Sequence, residues 1–201
     1  DVIIGHEGPD RLFGFGGLDT LEGLAGDDEL SPGADPDTLT LGPGSDIIIG
    51  TASQLDGDTS MNPHTLEAAL RAAGSAVMGV DLVMSGELTS AFCNVRPPGH
   101  HAERDRAMGF CIFNNVAVGA AHGLERVAIV DFDVHHGNGT EHIFANEPRV
   151  LFCSTFQHPF YPHTGAETDT PQIVNVPLPA GSDGAVFRQA VTEHWLPRLE
   201  A

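Results

Sequence analysis

Two carboxylates and an imidazole alternate along one short segment, Val130-Asp131-Phe132-Asp133-Val134-His135-His136-Gly137-Asn138-Gly139. Extended backbone sends alternate side chains to the same face, so Asp131, Asp133 and His135 are expected to point one way. Such a trio makes a poor core and a good metal site. Carboxylate with imidazole suits zinc, and also iron or manganese. The glycines just after them end the strand and allow close backbone approach. The alternative is a solvated strand end that happens to be rich in Asp and His.

A second group lies upstream, in Val95-Arg96-Pro97-Pro98-Gly99-His100-His101-Ala102. The prolines stop a short apolar segment, Ala91–Val95, and stiffen its exit. Imidazole titrates near neutrality, so neighbouring histidines on this loop could act as a general acid/base pair. Alone, a His-His pair is as readily a polar loop. Beside a metal strand it gains meaning, because metal-activated water needs a base and the leaving group needs an acid. Each histidine then needs a partner to fix its tautomer, and Asp131 and Asn138 are the candidates.

Three segments together, Arg96-Pro-Pro-Gly-His-His-Ala102, Gly109-Phe-Cys-Ile-Phe-Asn-Asn115 and Asp131-Phe-Asp-Val-His-His-Gly-Asn-Gly-Thr140, resemble the histone deacetylase family, particularly its bacterial and class II-like members. The resemblance extends over roughly residues 56–201. It implies that Asp133 and His135 are two of three zinc ligands. It implies that His101 is the general acid/base and that His100, held by Asp131, is its electrostatic companion. Asn138 stands where the family places the partner of the second histidine, and an amide there raises the imidazole pKa less than a carboxylate would. Gly109 and Phe110 match one wall of an acyl-lysine tunnel and Tyr161 the other; aromatic residues of this kind are also common simply as core. Ser154, with Asp131 and the backbone carbonyls around Asp133 and His135, matches a structural site for a monovalent cation, K+ or Na+. The implied substrate is an acetylated small amine or an acetyl-lysine peptide.

The family's third zinc ligand, an Asp, and its oxyanion-holding Tyr lie in motifs downstream of a helix that here spans Asp183–Glu200. The chain stops at Ala201 and begins at Asp1, not Met, so it reads as an internal portion of a longer reading frame. By itself it is expected to be inactive.

The first fifty residues obey a different rule. Asp1, Asp10, Asp19, Asp28, Asp37 and Asp46 recur every nine residues, and an aliphatic stands two places after each: Ile3, Leu12, Leu21, Leu30, Leu39 and Ile48. A fixed short period signals stacked turns. With glycines recurring between the aspartates, the segment resembles the RTX, or haemolysin-type, calcium-binding nonapeptides, which form a parallel β-roll. That resemblance implies calcium held by Asp10, Asp19, Asp28, Asp37 and Asp46, with carbonyl oxygens from the Gly turns completing each site. The pattern is imperfect. His6, Phe15 and Leu24 replace the second glycine in three turns, Pro32 and Leu41 the first in two others, and Asp35 a third. Bulky residues where positive φ is wanted are expected to distort those turns. A degenerate roll acting as a spacer is the alternative.

Charge shows the same division. Net charge is −19, and residues 1–56 hold 12 acidic groups against one basic, Arg11. Without cations such a repeat repels itself and stays largely disordered. An acidic chain is a poor partner for nucleic acid or anionic membranes, and nothing in it is apolar enough to span a bilayer. Cys93, Cys111 and Cys153 are odd in number and sit in apolar contexts, so they read as buried or near-site free thiols. Thiols favour the cytoplasm, whereas RTX-like repeats favour export into millimolar calcium. The implied source is bacterial, and the oligomeric state stays open.

The organisation expected is therefore an RTX-like β-roll over 1–54 and a partial deacetylase-like domain over 56–201, joined at Asp56–Ser60. Asn62 caps a helix with Pro63 at its first position, continuing over Leu66–Met84. Buried strands are expected at Ala91–Val95, Arg126–Asp131, Arg149–Ser154 and Ile173–Val176, with helices near Asn114–Gly123, Thr140–Ala145 and Asp183–Glu200. Alternation of this kind gives an α/β fold with a partial open parallel sheet of arginase/deacetylase type, its site at the strands' C-terminal ends and its edges raw. The leading function is a zinc-dependent deacetylase. One alternative is a two-metal hydrolase of the arginase-like superfamily, which needs more bridging carboxylates than this strand offers. The other is a calcium-dependent adhesion or scaffold protein with an inactive deacetylase-like binding module.

Overall fold

The computed structural model describes residues 1–15, 17–33, 37–48, 53–62, 64–168 and 170–201, with 53 and 54 described by backbone alone. Pro63 and Asp35 lie outside the described residues. The chain divides into two units, one of residues 1–70 with 107–110 and one of 71–106 with 111–201.

In the first unit, six short strands keep to the nonapeptide period, β1 (Val2–Ile4), β2 (Arg11–Phe13), β3 (Thr20–Glu22), β4 (Glu29–Ser31), β5 (Thr38–Thr40) and β6 (Ile47–Ile48), and β7 (Ser53–Asp56) and β8 (Thr59–Met61) follow at closer spacing. The odd strands join one sheet, which β8 extends, in the order β1-β3-β5-β7-β8, and β2, β4 and β6 form the other, in the order β2-β4-β6. The pairs up to β7 are parallel, with Val2 opposite Thr20, Arg11 opposite Glu29 and Thr20 opposite Thr38. Each turn of this roll is thus two nonapeptides. Leu12, Leu21 and Leu30 are buried between the sheets, with Ile3 and Leu39 packed against them. The aliphatic of each repeat is there because a three-residue strand turns only its central side chain inward.

The aspartates lace the turns together. Asp10 N–H donates to Asp28 Oδ1 (2.9 Å), Asp19 N–H to Asp37 Oδ1 (2.8 Å) and Asp28 N–H to Asp46 Oδ1 (3.0 Å). Phe15 and Leu24 do not unmake their turns, contrary to expectation. They adopt the left-handed conformation themselves, with φ of 70° and 68°. The strain is accepted locally because the ladder bonds on either side over-determine the turn. Leu24→Gly should therefore stabilise the roll by about 1 kcal/mol, since glycine takes positive φ without the Cβ penalty. Thermal unfolding of the two proteins side by side checks this; a lower midpoint for L24G would mean that the lost side-chain contacts outweigh the strain.

Gly57 and Asp58 turn a hairpin in which β8 adds antiparallel to β7, as expected of a Gly-containing turn between short strands. Asp58 Oδ1 and Thr59 Oγ1 then accept the backbone N–H groups of Gly109 and Phe110, both at 3.0 Å. Those two residues consequently group with the first unit.

Helix α1 (Thr65–Met84) runs across the division between units. Asn62 starts it by a reciprocal pair: its N–H donates to Thr65 Oγ1, and its Oδ1 accepts from His64 N–H, both at 2.9 Å. In the second unit, β9 (Val127–Asp131), β10 (Val150–Gln157) and β11 (Ile173–Leu178) form a parallel sheet in the order β11-β10-β9. Central β10 is almost wholly buried, whereas Pro177, which has no N–H, lies on edge strand β11. Helix α2 (Asn115–Ala121) is capped by Asn114, whose Oδ1 accepts from Ala117 N–H at 3.1 Å, and α3 (Asn138–Phe144) comes after β9. Ala117, Ala120, Ile129, Phe144, Val150 and Phe152 form the core.

Two elements differ from expectation. Ala91–Val95 is not a strand among the described residues. It makes no ladder and, with Val130 and Val134, lines an open cavity of about 820 Å³. Apolar composition alone does not make a strand where no neighbour offers backbone groups. The Asp183–Glu200 helix is broken into α4 (Gly184–Ala190), a π turn (Val191–Trp195) and α5 (Leu196–Leu199). Pro197 cannot donate into an α ladder, and the adjacent Leu196 N–H reaches back five residues to Val191.

Candidate active site

Strand β9 stops at Asp131, and the carboxylates themselves shape the chain just beyond it. Asp131 Oδ1 accepts from Asp133 N–H (3.1 Å), and Asp133 Oδ1 from His135 N–H (2.8 Å). Short polar side chains compete in this way with ladder bonds. Two successive turns replace the continued strand expected from the sequence, yet still gather the side chains. Asp133 Oδ1 lies 3.1 Å from His135 Nδ1.

The histidine loop is pressed against this segment. His100 Nδ1 lies 2.9 Å from Asp131 Oδ2, and its Nε2 3.9 Å from Asp133 Oδ1. His101 Nδ1 lies 2.8 Å from Asn138 Oδ1. The two imidazole centroids are 4.0 Å apart, and His101 is 5.8 Å from His135. Gly137 permits this approach: a Cβ there would stand 2.4 Å from Asp131 Oδ2.

The histidines are driven in opposite directions. Burial pushes His101 down to about 4, and the neighbouring charge of His100 adds to the effect. For His100 burial is also the largest single influence and acts downward, but the hydrogen bond and charge of Asp131, with help from Asp133, outweigh it and raise the pKa. One imidazole is thus kept neutral and its neighbour is favoured as a cation, the division of labour an acid/base site needs.

Aromatic rings flank the pair. Tyr161 meets His101 edge-on at 5.1 Å, and Phe160, which nothing in the sequence singles out, stacks on His135 at 5.1 Å. Their loop is anchored from below. Buried His136 bonds Thr164 Oγ1 and Glu141, each at 2.8 Å, and Glu141 also accepts from Thr168 and Asn175, both at 2.6 Å. Burial alone would raise the Glu141 pKa; these hydrogen bonds, His136 foremost, hold it below the ordinary value. Gly109 and Phe110 belong to the first unit, where Phe110 is exposed with φ of 65°.

Three further features bear on ions. Ser154, paired with Asp131 in the β9–β10 register, has a buried Oγ without a hydrogen-bond partner among the described residues. In the roll, Asp19, Asp28 and Asp37 are buried and their Oδ2 atoms are likewise unpartnered among the described residues. A Cβ on Gly23 would stand 2.5 Å from Asp28 Oδ2, so glycine leaves the cradle open. These orphaned oxygens suit calcium. Third, Glu103, Asp105 and His142 form the one three-donor cluster among the described residues, and it is partly exposed. Asp133 and His135 fit zinc in donor type but are two in number.

None of the three cysteines is in a disulfide. Cys111 and Cys153 are buried, the latter pushed up to about 11 by burial, whereas Cys93 is exposed, unlike the sequence expectation.

The chain matches the histone deacetylase domain over residues 29–201 and the RTX calcium-binding nonapeptide repeat over residues 1–30. It is 46% identical over 153 residues to an uncharacterized protein of Synechocystis, covering 72% of this chain and 50% of that one. It is 42% identical over 149 residues to a "Probable deacetylase" of Archaeoglobus fulgidus, covering 69% and 42%. The crystal structure of the "HDA15 HD domain" superposes with a TM-score of 0.61 at 41% identity, over 65% of this chain and 41% of that one. The chain thus spans half or less of the length of the relatives it matches. With its deacetylase motifs on a parallel α/β sheet and calcium-type repeats before them, this chain belongs to the histone deacetylase family.

Proposed function

We propose that this chain carries part of the catalytic machinery of a zinc-dependent deacetylase acting on an N-acetylated amine, of acetyl-lysine or acetylpolyamine type. The observation that carries the reading is the pair of oppositely tuned histidines beside Asp133 and His135. Those two residues would hold the metal, completed by a third donor. Bound zinc supplies Lewis acidity toward the acetyl carbonyl and the attacking water. His101, neutral and with Nδ1 turned to Asn138, takes the water's proton at Nε2 and returns it to the departing amine. His100, held by Asp131, stabilises the negative charge that develops. Tyr161 and Phe160 line the approach for an acyl chain. Asp131, Asp133, His135 and Ser154 surround a monovalent cation.

The functional division proposed is a roll over 1–54 and a deacetylase domain over 56–201. Calcium at Asp10, Asp19, Asp28, Asp37 and Asp46 orders the roll, and the unpartnered Oδ2 atoms support it. RTX-type repeats are consistent with export, and no described helix is long and apolar enough to cross a membrane.

Metal analysis with an acetyl-lysine peptide assay tests the reading, in this chain and in the protein carrying the rest of the domain its relatives have. Asp133→Ala and His135→Ala should each abolish stoichiometric zinc and zinc-dependent turnover, because each removes one of three protein donors. Zinc retained at full occupancy in both variants would place the metal elsewhere.

A further inference from the structure

The polar chain behind His101 runs one residue further than its partner Asn138. Asn138 Nδ2 donates to Glu103 Oε1 at 2.8 Å, while Asn138 Oδ1 lies 2.8 Å from His101 Nδ1. His101 and Asn138 are both buried, at 4% and 7% exposure, so neither has bulk water to settle its orientation. Glu103 is itself held in place: its N–H donates to Arg106 O at 2.9 Å, and its Oε2 lies 4.0 Å from His142 Nδ1.

An amide has two ends of nearly equal size and opposite chemistry. A carboxylate only accepts hydrogen bonds. Facing Glu103, Asn138 must present Nδ2; reversed, it would set oxygen against oxygen. Its Oδ1 is thereby turned to His101, and an oxygen there requires the imidazole proton on Nδ1. Nε2 is left unprotonated, with its lone pair available. An amide partner alone could not impose this, since a free Asn serves either tautomer equally well. A carboxylate in direct contact would impose it but would also raise the imidazole pKa. Placing the carboxylate one residue back fixes the tautomer while leaving the base neutral.

We propose that Glu103 is a positioning residue that sets the Nδ1–H tautomer of His101 through the Asn138 amide. Its effect on rate rests on the assignment of His101 as the general base; its effect on the tautomer does not.

The test exploits the sign of the group at position 103. Whole, chelator-treated protein labelled with nitrogen-15 in histidine gives the tautomer from long-range proton–nitrogen correlations at neutral pH, with His101 assigned from the peaks lost in H101A. The wild type should show the Nδ1–H pattern. E103Q, whose amide can face Asn138 with either end, should show a mixture. E103K offers only donors, so the amide should turn over and His101 should show the Nε2–H pattern. E103A, which removes the carboxylate facing Asn138 Nδ2, should show a mixture. In protein that is deacetylase-active, kcat should fall by roughly two to three orders of magnitude in E103K with KM nearly unchanged, and E103Q should lie between it and the wild type. Should E103K fail to fold, the E103A mixture against the pure wild-type pattern decides. A pure Nδ1–H pattern in E103A or E103K overturns the proposal. Absence of deacetylation in the wild type tells against the functional reading and leaves the tautomer result standing.

Discussion

His101→Ala should keep its zinc and lose roughly two to four orders of magnitude in turnover, the scale of general acid/base catalysis. The separation of the two effects is the point. His101 turns Nδ1 to Asn138 and lies 5.8 Å, ring to ring, from His135. It therefore neighbours the proposed metal ligands, Asp133 and His135, without belonging to them. Parallel zinc analysis and steady-state kinetics on wild type and variant would show the split. A variant with unimpaired kcat would remove His101 from the chemistry altogether. The metal-free protein offers an independent check by NMR titration: His101 should take up its proton only near pH 4, whereas His100 should do so above the ordinary imidazole value.

Calcium should act on the roll as folding energy. Asp19, Asp28 and Asp37 bury carboxylate oxygens that no described group satisfies, and an uncompensated buried charge is costly. Cation binding removes that cost and stabilises the native state by mass action. In millimolar calcium, far-UV circular dichroism should gain β signal, and the midpoint of the roll's unfolding should rise by about 10 °C or more. Magnesium should do less, since it demands a tighter and more regular shell of oxygens. Asp19→Asn with Asp28→Asn should abolish most of the calcium response. Spectra and midpoint that ignore calcium up to several millimolar would leave the repeats as a spacer.

Much of this is legible in the residues alone. The period-nine aspartates and aliphatics mark both the strands and the buried leucines of the roll, because repetition specifies local structure at every turn. Val127–Asp131 and Val150–Gln157 are readable from β-branched and aromatic runs. The failures share a cause, which is that partners remote in sequence decide them. Ala91–Val95 has strand composition but no ladder neighbour among the described residues. Gly109 and Phe110 stand in the middle of the deacetylase motifs, yet their N–H groups donate to Asp58 and Thr59 some fifty residues earlier. Glu103 carries no signal beyond its place two residues after His101, since a charged loop residue is ordinarily solvated. Its contact with Asn138 and its place beside Asp105 and His142 distinguish it.

The two-nonapeptide pitch of the roll has a consequence for how such a gene can change length. Because alternate repeats belong to opposite sheets, repeat number has a parity. Losing one nonapeptide would leave the β7–β8 hairpin on the sheet opposite the one that holds the chain's first strand, whereas losing two would return it. Recombination between repeats is thus neutral toward the sheet assignment of the hairpin only in steps of eighteen residues, matching the offset between Val2 and Thr20.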